Sequence, residues 1–409
     1  MLWRKILMNN PSKYLNNELE YIKKVLQSEN WSSTSGTWCQ TLEESFAKKF
    51  ESRYAVAMNS GTATLHSALE AVGVGPGDEV ISPALTVIMD TTATIHANAI
   101  PVYADIDSKT FNICPKDIKR KITDKTKAII VVSLYGLPPE MDEIMAISRE
   151  HNIPVIEDNA QCFLSTYKEK LVGTIGHISS WSFENSKHMS CGEGGIITSN
   201  NQQYATRARK IAGHGYKNLK AKCGQIKLNQ SVYQSPHYKR HDEIGWNYRM
   251  SEFNAAIALA QLENLEQKVK TRIEIAHMFL DVISACEYII PQYVPEYSEH
   301  SYFTLAALYN GFEQTGVSWE DFRQRYVSLG GDGFYGAWSL PYLEPVMEKR
   351  NFARRNPEIY KNISYKKGLC PVAERIQPKI MQFKTNYRDL NLAAKKAQVL
   401  KKTIKFFKK

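Results

Sequence analysis

The sequence predicts an α/β fold with a mostly parallel central sheet, helices on its faces, and a smaller C-terminal α/β domain. Two observations support this prediction. Between about Tyr54 and Ser199, short apolar runs alternate with segments of helical period, as in repeated βαβ units. The chain has 409 residues, 43% of them hydrophobic, which is enough for a large core without disulfide or metal staples.

Six apolar runs are predicted to be strands, and four segments between them are predicted to be helices. The predicted strands are Tyr54–Met58, Glu79–Ser82, Ile100–Ala104, Lys127–Ser133, Pro154–Glu157 and Gly195–Ser199. The predicted helices are Ala63–Val72, Val87–Ala97, Cys114–Ile122 and Met141–His151. Ligands bind at the carboxyl ends of the strands in such sheets, so residues that follow these runs are the first site candidates.

Beyond this region the periodicity changes. One long helix is predicted from about Ser251 to Phe279, with Ser251 as a possible cap. After it the pattern is weaker and mixed, as expected for a smaller α/β domain. We therefore predict a large domain with an N-terminal arm over residues 1–265 and a small domain over residues 266–409.

The net charge of +10 does not by itself indicate a nucleic-acid partner, because the excess is concentrated at one end. The segment Ala393–Lys409 carries seven lysines and no acidic residue. Together with the apolar residues around it, this spacing favours a terminal amphipathic helix with a solvated basic face over a membrane or nucleic-acid patch. The apolar residues are Leu392, Val399, Leu400, Ile404 and Phe407.

Cysteine usage and hydropathy indicate a cytoplasmic protein. The seven cysteines are odd in number, scattered, and include no CxxC pair, which argues against a disulfide framework or a metal site. No run of 18 apolar residues is present, so we expect no membrane span. The stretch Met1–Asn10 has too short an apolar run for a secretory signal.

Two of three notable motifs follow predicted strands. Asn59-Ser-Gly-Thr62 lies between a strand and a helix, where backbone N–H groups favour a phosphate, although Ser-Gly-Thr is also an ordinary helix cap. Asp158, in Val155–Gln161, ends a run too apolar for the surface. A buried carboxylate there needs a partner: a protonated pyridine nitrogen, a buried arginine or a helix cap.

The third motif places Lys187 in Ser182–Gly195, before the glycines of Gly192-Glu-Gly-Gly195. It cannot be a Walker loop, in which the glycines precede the lysine, and it lacks the GxGxxG pattern of dinucleotide folds. Its amine suits imine formation beside a crowded cofactor. A surface lysine is the alternative, which the flanking pattern disfavours.

Together these motifs resemble the DegT/StrS family of pyridoxal-phosphate (PLP) sugar aminotransferases. The resemblance runs in order from about Ser33 to Ala276. Further matching segments are Gly75–Val80, Tyr135-Gly136, Gly245–Met250 and Ala255–Leu262. The resemblance implies the type I PLP-dependent transferase fold of aspartate aminotransferase.

The resemblance also implies roles for individual residues. Lys187 would form the Schiff base with PLP and then shuttle a proton, and Asp158 would keep the pyridine nitrogen protonated. Ser60, Gly61, Thr62 and Ser182 would bind the phosphate, and Gln161 would face the ring or its 3-oxygen. Asn247 would reach the phosphate of the neighbouring subunit, which implies a homodimer. Tentative substrate residues are His188, Arg249, His300 and Tyr302, with 300–303 resembling a substrate-side strand of the family.

Two features depart from the family pattern. Val87 occupies the position where the family usually stacks an aromatic ring on the cofactor. The stretch Lys217–Arg240 is longer and more basic than usual. It either contacts a diphosphate or forms a disordered loop, and the loop is the favoured alternative.

The resemblance implies an enzyme that aminates a nucleotide-linked keto sugar, by default a 4-keto-6-deoxy sugar, for surface polysaccharide or natural-product biosynthesis. Glutamate or glutamine would be the donor, and the cofactor would cycle through pyridoxamine phosphate. One alternative is a PLP-dependent sugar 3-dehydratase, which carries histidine where Lys187 stands. Another is a non-catalytic regulatory homologue, disfavoured because both Lys187 and Asp158 are present.

Overall fold

The structure is a computed structural model that describes residues 17–407. The prediction made for Met1–Asn10 and the last two lysines of the basic tail lie outside these residues. The strands are β1 (Tyr54–Met58), β2 (Glu79–Pro83), β3 (Ile100–Ala104), β4 (Thr126–Val132), β5 (Val155–Asp158), β6 (Thr166–Tyr167), β7 (Lys170–Leu171), β8 (Ile178–Ser182), β9 (Gly195–Ser199), β10 (Ile289–Pro291), β11 (Leu305–Tyr309) and β12 (Ile380–Phe383).

The helices alternate with the strands of the first half and dominate the second. They are α1 (Glu18–Ser28), α2 (Trp38–Lys49), α3 (Gly61–Ala71), α4 (Met89–His96), α5 (Pro115–Lys121), α6 (Met141–His151), α7 (Gln202–Ala212), α8 (Gln230–Tyr233), α9 (Glu252–Leu262), α10 (Leu265–Ile283), α11 (Gly311–Thr315), α12 (Trp319–Ser328), α13 (Pro345–Glu348), α14 (Pro357–Tyr360), α15 (Pro371–Ile376) and α16 (Leu390–Phe407). Short 3₁₀ turns lie at Leu134–Gly136, Pro341–Leu343, Asn351–Arg355 and Gln377–Lys379.

A seven-stranded sheet forms the centre of the fold, in the order β1-β9-β8-β5-β4-β2-β3. The pairs from β8 through β3 are parallel, whereas β9 runs antiparallel to both β1 and β8. The register sets Asp158 of β5 opposite Val132 of β4 on one side and Ser180 of β8 on the other. Apolar side chains pack on both faces of this sheet. The predicted α/β class with a mostly parallel sheet is thereby confirmed.

All six predicted strands are present in the central sheet, with ends within one residue of the prediction. The remaining strand of that sheet, β8, was not predicted. Its sequence, Ile-Ser-Ser-Trp-Ser, has too many hydroxyl groups for an apolar run, yet every residue is buried. The hydroxyls are satisfied internally: Ser180 Oγ lies 2.7 Å from Thr64 Oγ1, and Ser179 Oγ donates to Gly173 O over 2.9 Å. A strand can therefore be fully buried despite a polar sequence when its hydroxyl groups form hydrogen bonds within the protein.

The four predicted helices between strands are confirmed, but the single helix predicted from Ser251 to Phe279 is wrong. The structure has two helices, α9 and α10, separated at Glu263 and Asn264. Asn264 leaves helical geometry (φ −117°, ψ 18°), and the Glu263 carboxylate accepts hydrogen bonds from Asn17 and Tyr21. Ser251 does cap α9, since its Oγ accepts from Asn254 N over 3.2 Å.

The C-terminal part contains a second sheet, in the order β10-β11-β12, and the helix α16. α16 confirms the amphipathic helix expected for the basic tail; it buries Ala393, Ala397 and Leu400, whereas Leu392 is 42% exposed. The predicted boundary after residue 265 falls at the start of α10, and the division into two domains stays a prediction. Among residues 17–407, no helix is long and apolar enough to span a bilayer.

Candidate active site

A cavity of about 490 Å³ opens at the carboxyl ends of the central strands. It brings together residues from β5, β8, the start of α3 and the loop after β8. Its lining residues are Ser60, Gly61, Thr62, Leu65, Leu85, Thr86, Val87, Met89, Leu134, Tyr135, Asp158, Ala160, Gln161, Ser182, Glu184, Ser186, Lys187, Glu193, Phe303, Trp338 and Gln382. Eight of the nine predicted cofactor residues are among them; only Asn247 is not.

One wall of the cavity is the N-terminus of α3. Ser60 caps this helix, with its Oγ accepting from Ala63 N over 3.1 Å, so the amides of the first turn face the cavity beside Ser182. Gly61 is required here, because a Cβ at this position would lie 2.8 Å from Ser182 Cβ. The helix dipole and the serine and threonine hydroxyls make this wall suited to a phosphate group.

Lys187 approaches the cavity from the loop that follows β8. Its side chain is partly exposed, and its Nζ lies 4.9 Å from the ring centre of Phe303. Burial lowers the pKa of Lys187, and nearby Arg272 adds to this effect, whereas Asp158 and Glu184 oppose it. A lowered pKa makes the neutral, nucleophilic amine more accessible near neutral pH.

Arg272 holds the loop that carries Lys187. From α10 it donates hydrogen bonds to the carbonyl oxygens of Ser186 (2.9 Å), Lys187 (3.3 Å) and Phe303 (2.7 Å). Its side chain is buried, and burial lowers the pKa of Arg272 to about 10. The sequence motifs do not identify this residue. The only signal in the sequence is an arginine within the amphipathic pattern of α10.

Asp158 ends β5 at the floor of the cavity and is buried. Its Oδ1 accepts from Ala160 N over 2.9 Å. Burial raises the pKa of Asp158, whereas the Ala160 N–H, the charge of Lys187 and a hydrogen bond with Asp90 lower it. Lys187 and Asp158 therefore interact electrostatically across one cavity.

Gln161 and Val87 contribute two further walls. Gln161 is buried and its Oε1 accepts from Tyr135 N over 2.9 Å, which fixes the amide group. Tyr135 has a left-handed backbone conformation (φ 62°), which turns the chain at the cavity wall. Val87 is partly exposed, and the exposed Met89 and Trp338 line the same opening. Phe303, Tyr135 and Trp338 were not predicted to line the site, although Tyr135 and Phe303 belong to segments that resemble the family.

The four tentative substrate residues do not line this cavity within one chain. His188 is buried and lies 3.0 Å from Ser301 O through its Nε2. His300 is buried too: its Nδ1 accepts from Tyr302 N over 2.8 Å, and burial lowers the pKa of His300 to about 3. The segment 300–303 precedes β11 and is not a strand. Substrate contacts by these residues stay predictions.

Arg249 and Asn247 lie in the segment next to the start of α3. Asn59 N donates to Tyr248 O over 2.8 Å, which places this segment beside the Ser60–Thr62 turn. The side chain of Asn247 is exposed, and Arg249 is partly exposed with a desolvated guanidinium. The phosphate contact predicted for Asn247 stays a prediction.

The basic stretch 217–240 is an irregular loop that contains the short helix α8. Arg240 lies over the rings of Tyr233 (5.0 Å) and Tyr238 (5.6 Å), and Lys217 lies over Tyr238 (4.4 Å). Its contact with a diphosphate stays a prediction.

The cavity residues fit the cofactor that the sequence leads us to expect. Its volume lies within the range of cofactor sites, roughly 300–1,000 Å³. The close approach of Gly61 to Ser182 leaves a cradle that any Cβ would fill, at a helix N-terminus suited to phosphate. A buried carboxylate and a desolvated lysine, the two groups that the ring nitrogen and the aldehyde need, lie beyond it.

Comparisons with known proteins agree with this geometry. A model of the DegT/DnrJ/EryC1/StrS aminotransferase family matches residues 13–349. The chain is 38% identical to the GDP-perosamine synthase of Escherichia coli O157:H7 over 262 residues, which cover 64% of this chain and 67% of the relative. It is 31% identical to the GDP-perosamine synthase of Vibrio cholerae over 360 residues, or 87% and 92% of the two chains. The X-ray structure of an aminotransferase from Psychrobacter cryohalolentis superposes with a TM-score of 0.83 at 30% identity, covering 98% of this chain and 99% of that one.

Proposed function

The chain belongs to the DegT/DnrJ/EryC1/StrS aminotransferase family, and we propose that it transfers an amino group to the keto carbon of a nucleotide-linked sugar. It is a PLP-dependent aminotransferase, and its fold is that of the type I PLP enzymes. One observation carries the assignment: Lys187, Asp158 and the phosphate-suited turn at Ser60 meet in a single cavity.

When bound, PLP supplies a carbonyl group that accepts amines and a ring that withdraws electrons from the reacting carbon. Ser60, Gly61, Thr62 and Ser182 would hold its phosphate with hydroxyls and helix amides. Asp158 would bind the ring nitrogen, and Gln161 would lie against the ring or its 3-oxygen. Val87 would cover one face through aliphatic contact.

Lys187 would carry the proton transfers. Its Nζ is held over Phe303 and within the field of Asp158, and its depressed pKa allows Nζ to be a neutral base. As a base Nζ can take a proton from the donor carbon, and as the conjugate acid it can return that proton to the acceptor. The Arg272 hydrogen bonds keep the backbone of this residue in place.

The substrate proposal is supported by the relatives, which are named GDP-perosamine synthases. We take a nucleotide-linked 4-keto-6-deoxy sugar as the default acceptor and glutamate or glutamine as the donor. The exposed Trp338 and Met89 at the opening suit an apolar sugar face or base. The product would serve surface polysaccharide or natural-product synthesis. The seven cysteines, all free thiols, are consistent with a cytoplasmic site of action.

We further propose that the enzyme is a homodimer with the partner's Asn247 completing each phosphate site. In support, Asn247 is exposed, and its neighbours Ile244 (92% exposed) and Trp246 (46% exposed) present apolar surface beside the start of α3. Light scattering should give twice the chain mass, and Asn247→Ala should weaken PLP binding without changing that mass. A monomer that holds PLP tightly would contradict this arrangement.

The reaction is tested by converting the protein to its pyridoxamine form and adding a panel of nucleotide keto sugars. Restoration of the aldehyde spectrum by a nucleotide-linked keto sugar, with the amino sugar detected by mass spectrometry, supports the proposal. Turnover of 2-oxo acids alone, with no response to any keto sugar, would refute it. Loss of water from the sugar without amination would indicate the 3-dehydratase, and no PLP uptake would indicate the regulatory homologue.

A further inference from the structure

Asp90 is a second buried carboxyl group behind the cavity, and the roles proposed above do not use it. It lies in the first turn of α4 and is fully buried. Thr86 Oγ1 donates to Asp90 Oδ2 over 2.8 Å, and Thr94 Oγ1 donates to the Asp90 backbone carbonyl over 2.8 Å. Asp90 Oδ1 is also buried and receives no hydrogen bond from an N–H or hydroxyl group of residues 17–407.

Besides the effect of burial, a side-chain hydrogen bond between the two carboxyl groups raises the pKa of Asp90 and lowers that of Asp158, and the buried Asp90 Oδ1 is the oxygen left open for this contact. Because an ionised carboxylate only accepts hydrogen bonds, this contact requires one proton between the two groups. Two adjacent carboxylates in a buried site cannot both be ionised without a large electrostatic cost. The pair therefore shares one proton, and the question is which residue carries it.

The surroundings place the proton on Asp90. Asp158 accepts from Ala160 N and lies in the field of Lys187, so its ionised form is stabilised. Asp90 accepts only the Thr86 hydroxyl at its carboxyl group, and burial and the charge of Asp158 raise the pKa of Asp90 well above its usual range.

The other titratable groups around the pair do not change this order. Tyr103 interacts with Asp90, but its hydroxyl lies 2.9 Å from Thr91 Oγ1 and burial raises the pKa of Tyr103, so it stays neutral. On the cavity side, Lys187 faces Asp158, while Glu184 and Arg272 act on Lys187 with opposite signs.

We propose that Asp90 is a positioning residue: as a neutral acid it donates a hydrogen bond to Asp158 and keeps that carboxylate ionised and weakly basic toward the ring nitrogen of PLP. Thr86 orients the acid, because its hydroxyl occupies one Asp90 oxygen and leaves the other for Asp158. This inference rests on the proposed function, since it concerns the carboxylate that would bind the ring nitrogen.

The hydrogen bond matters because a buried ion pair is stable only when its remaining lone pairs are satisfied. With the donors Ala160 N and Asp90 in place, Asp158 is a weak base, and the proton stays on the ring nitrogen. Without Asp90, the more basic Asp158 would take that proton. The ring would then be neutral and would withdraw fewer electrons.

Three substitutions test the role of Asp90, and one serves as the control. Asp90→Asn keeps a neutral group whose Oδ1 accepts from Thr86 and whose Nδ2 donates to Asp158. Asp90→Ala and Asp90→Val remove the donor, the valine leaving the smaller cavity. The control Thr94→Val removes a neighbouring buried hydroxyl that bonds only the Asp90 backbone. Each variant is measured for apo-protein unfolding, PLP affinity, and the pH midpoint of the visible absorption of bound PLP.

We expect Asp90→Asn and Thr94→Val to bind PLP within about threefold of the wild type, with an unchanged spectral midpoint. Asp90→Ala and Asp90→Val should bind PLP roughly tenfold to hundredfold more weakly, as for loss of a buried hydrogen bond to a charged group. Their spectral midpoint should move up by about one pH unit, because an unprotonated ring withdraws fewer electrons from the Lys187 nitrogen attached to it. If neither Asp90→Ala nor Asp90→Val folds, the Asp90→Asn variant is a sufficient test, because an amide can replace a neutral hydrogen-bond donor but cannot replace a carboxylate.

Two results would overturn the inference while leaving the proposed function intact: an Asp90→Asn variant as damaged as Asp90→Ala, or donor-free variants with wild-type affinity and spectral midpoint. Failure of the proposed function is distinct, because the wild-type protein would then take up no PLP and show no visible band.

Discussion

Replacing Arg272 with methionine should loosen the loop that carries Lys187 without removing any side chain from the cavity wall. Arg272 does not line the cavity, but its guanidinium donates to the carbonyls of Ser186, Lys187 and Phe303. Methionine fills a similar length with no donor. The change therefore leaves three carbonyl groups without their partner and lets the loop move relative to α10.

The magnitude follows from two opposing contributions. Hydrogen bonds from a charged group contribute about 1.5–3 kcal/mol each and are not additive, so the three together are worth about 5 kcal/mol. Burying the guanidinium works against this gain. Burial lowers the pKa of Arg272 to about 10, a shift that corresponds to a cost of about 3 kcal/mol, which methionine does not incur. The expected net loss of stability is about 2 kcal/mol.

Denaturant unfolding of the apo-protein measures this loss, and borohydride trapping of PLP on Lys187 measures the effect on the site. Trapping should slow by roughly tenfold to hundredfold, because small displacements of a reacting group are costly. Arg272→Lys is the matched control. It keeps the charge, but a single nitrogen cannot bind the carbonyls of both the Lys187 loop and Phe303, so its stability and trapping rate should lie between those of the wild type and Arg272→Met. Wild-type stability and trapping rate in Arg272→Met would refute the reasoning.

Three further predictions concern the two principal residues. Lys187→Ala should abolish amination and borohydride-stable labelling while the protein still unfolds cooperatively and binds PLP non-covalently; amination at the wild-type rate would contradict the assignment. Asp158→Asn should retain PLP but lower the single-turnover rate by several orders of magnitude, because a neutral amide does not stabilise a protonated ring nitrogen; near-normal turnover would make Asp158 merely structural. Because the pKa of Lys187 is lowered by burial, PLP attachment should accelerate with rising pH and level off below 10.5, whereas a plateau only above that value would show a solvated amine.

The secondary structure of the sheet region could be predicted because its strands are apolar and its helices amphipathic. β1, β3 and β9 match the prediction residue for residue. β8 could not be predicted from apolarity, since its serines are buried through partners on α3 and in the loop at Gly173. Such partners come together only in the folded chain.

The break between α9 and α10 could not be predicted for the same reason: it depends on contacts that form only in the folded chain. Neither proline nor glycine marks it, and the apolar spacing continues across Glu263 and Asn264. The N-terminal segment supplies hydrogen bonds to Glu263 through Asn17 and Tyr21, and these contacts are distant in sequence. A periodicity argument cannot detect them.

The site shows the same division. Ser60 and Asp158 could be expected to converge, because each lies at or just after the end of a predicted strand, at the cavity edge. Ser182 ends the unpredicted strand β8, so only the family resemblance pointed to it. Arg272 could not be expected there, because it acts from a helix of ordinary amphipathic sequence on backbone atoms whose position depends on the whole fold.

The protonation state of the site is the property furthest from the sequence. A carboxylate at the end of an apolar run needs a partner, and the sequence allowed a pyridine nitrogen, an arginine or a cap. In the structure one of the side-chain partners of Asp158 is another acid, Asp90, brought from a different βα unit. Burial raises the pKa of Asp158 and so favours its neutral form. The hydrogen bond from Asp90 lowers that pKa and favours the ionised form that a protonated ring requires. The chemistry of Asp158 is therefore set jointly by α4, the Ala160 turn and the Lys187 loop, and only the fold brings the three together.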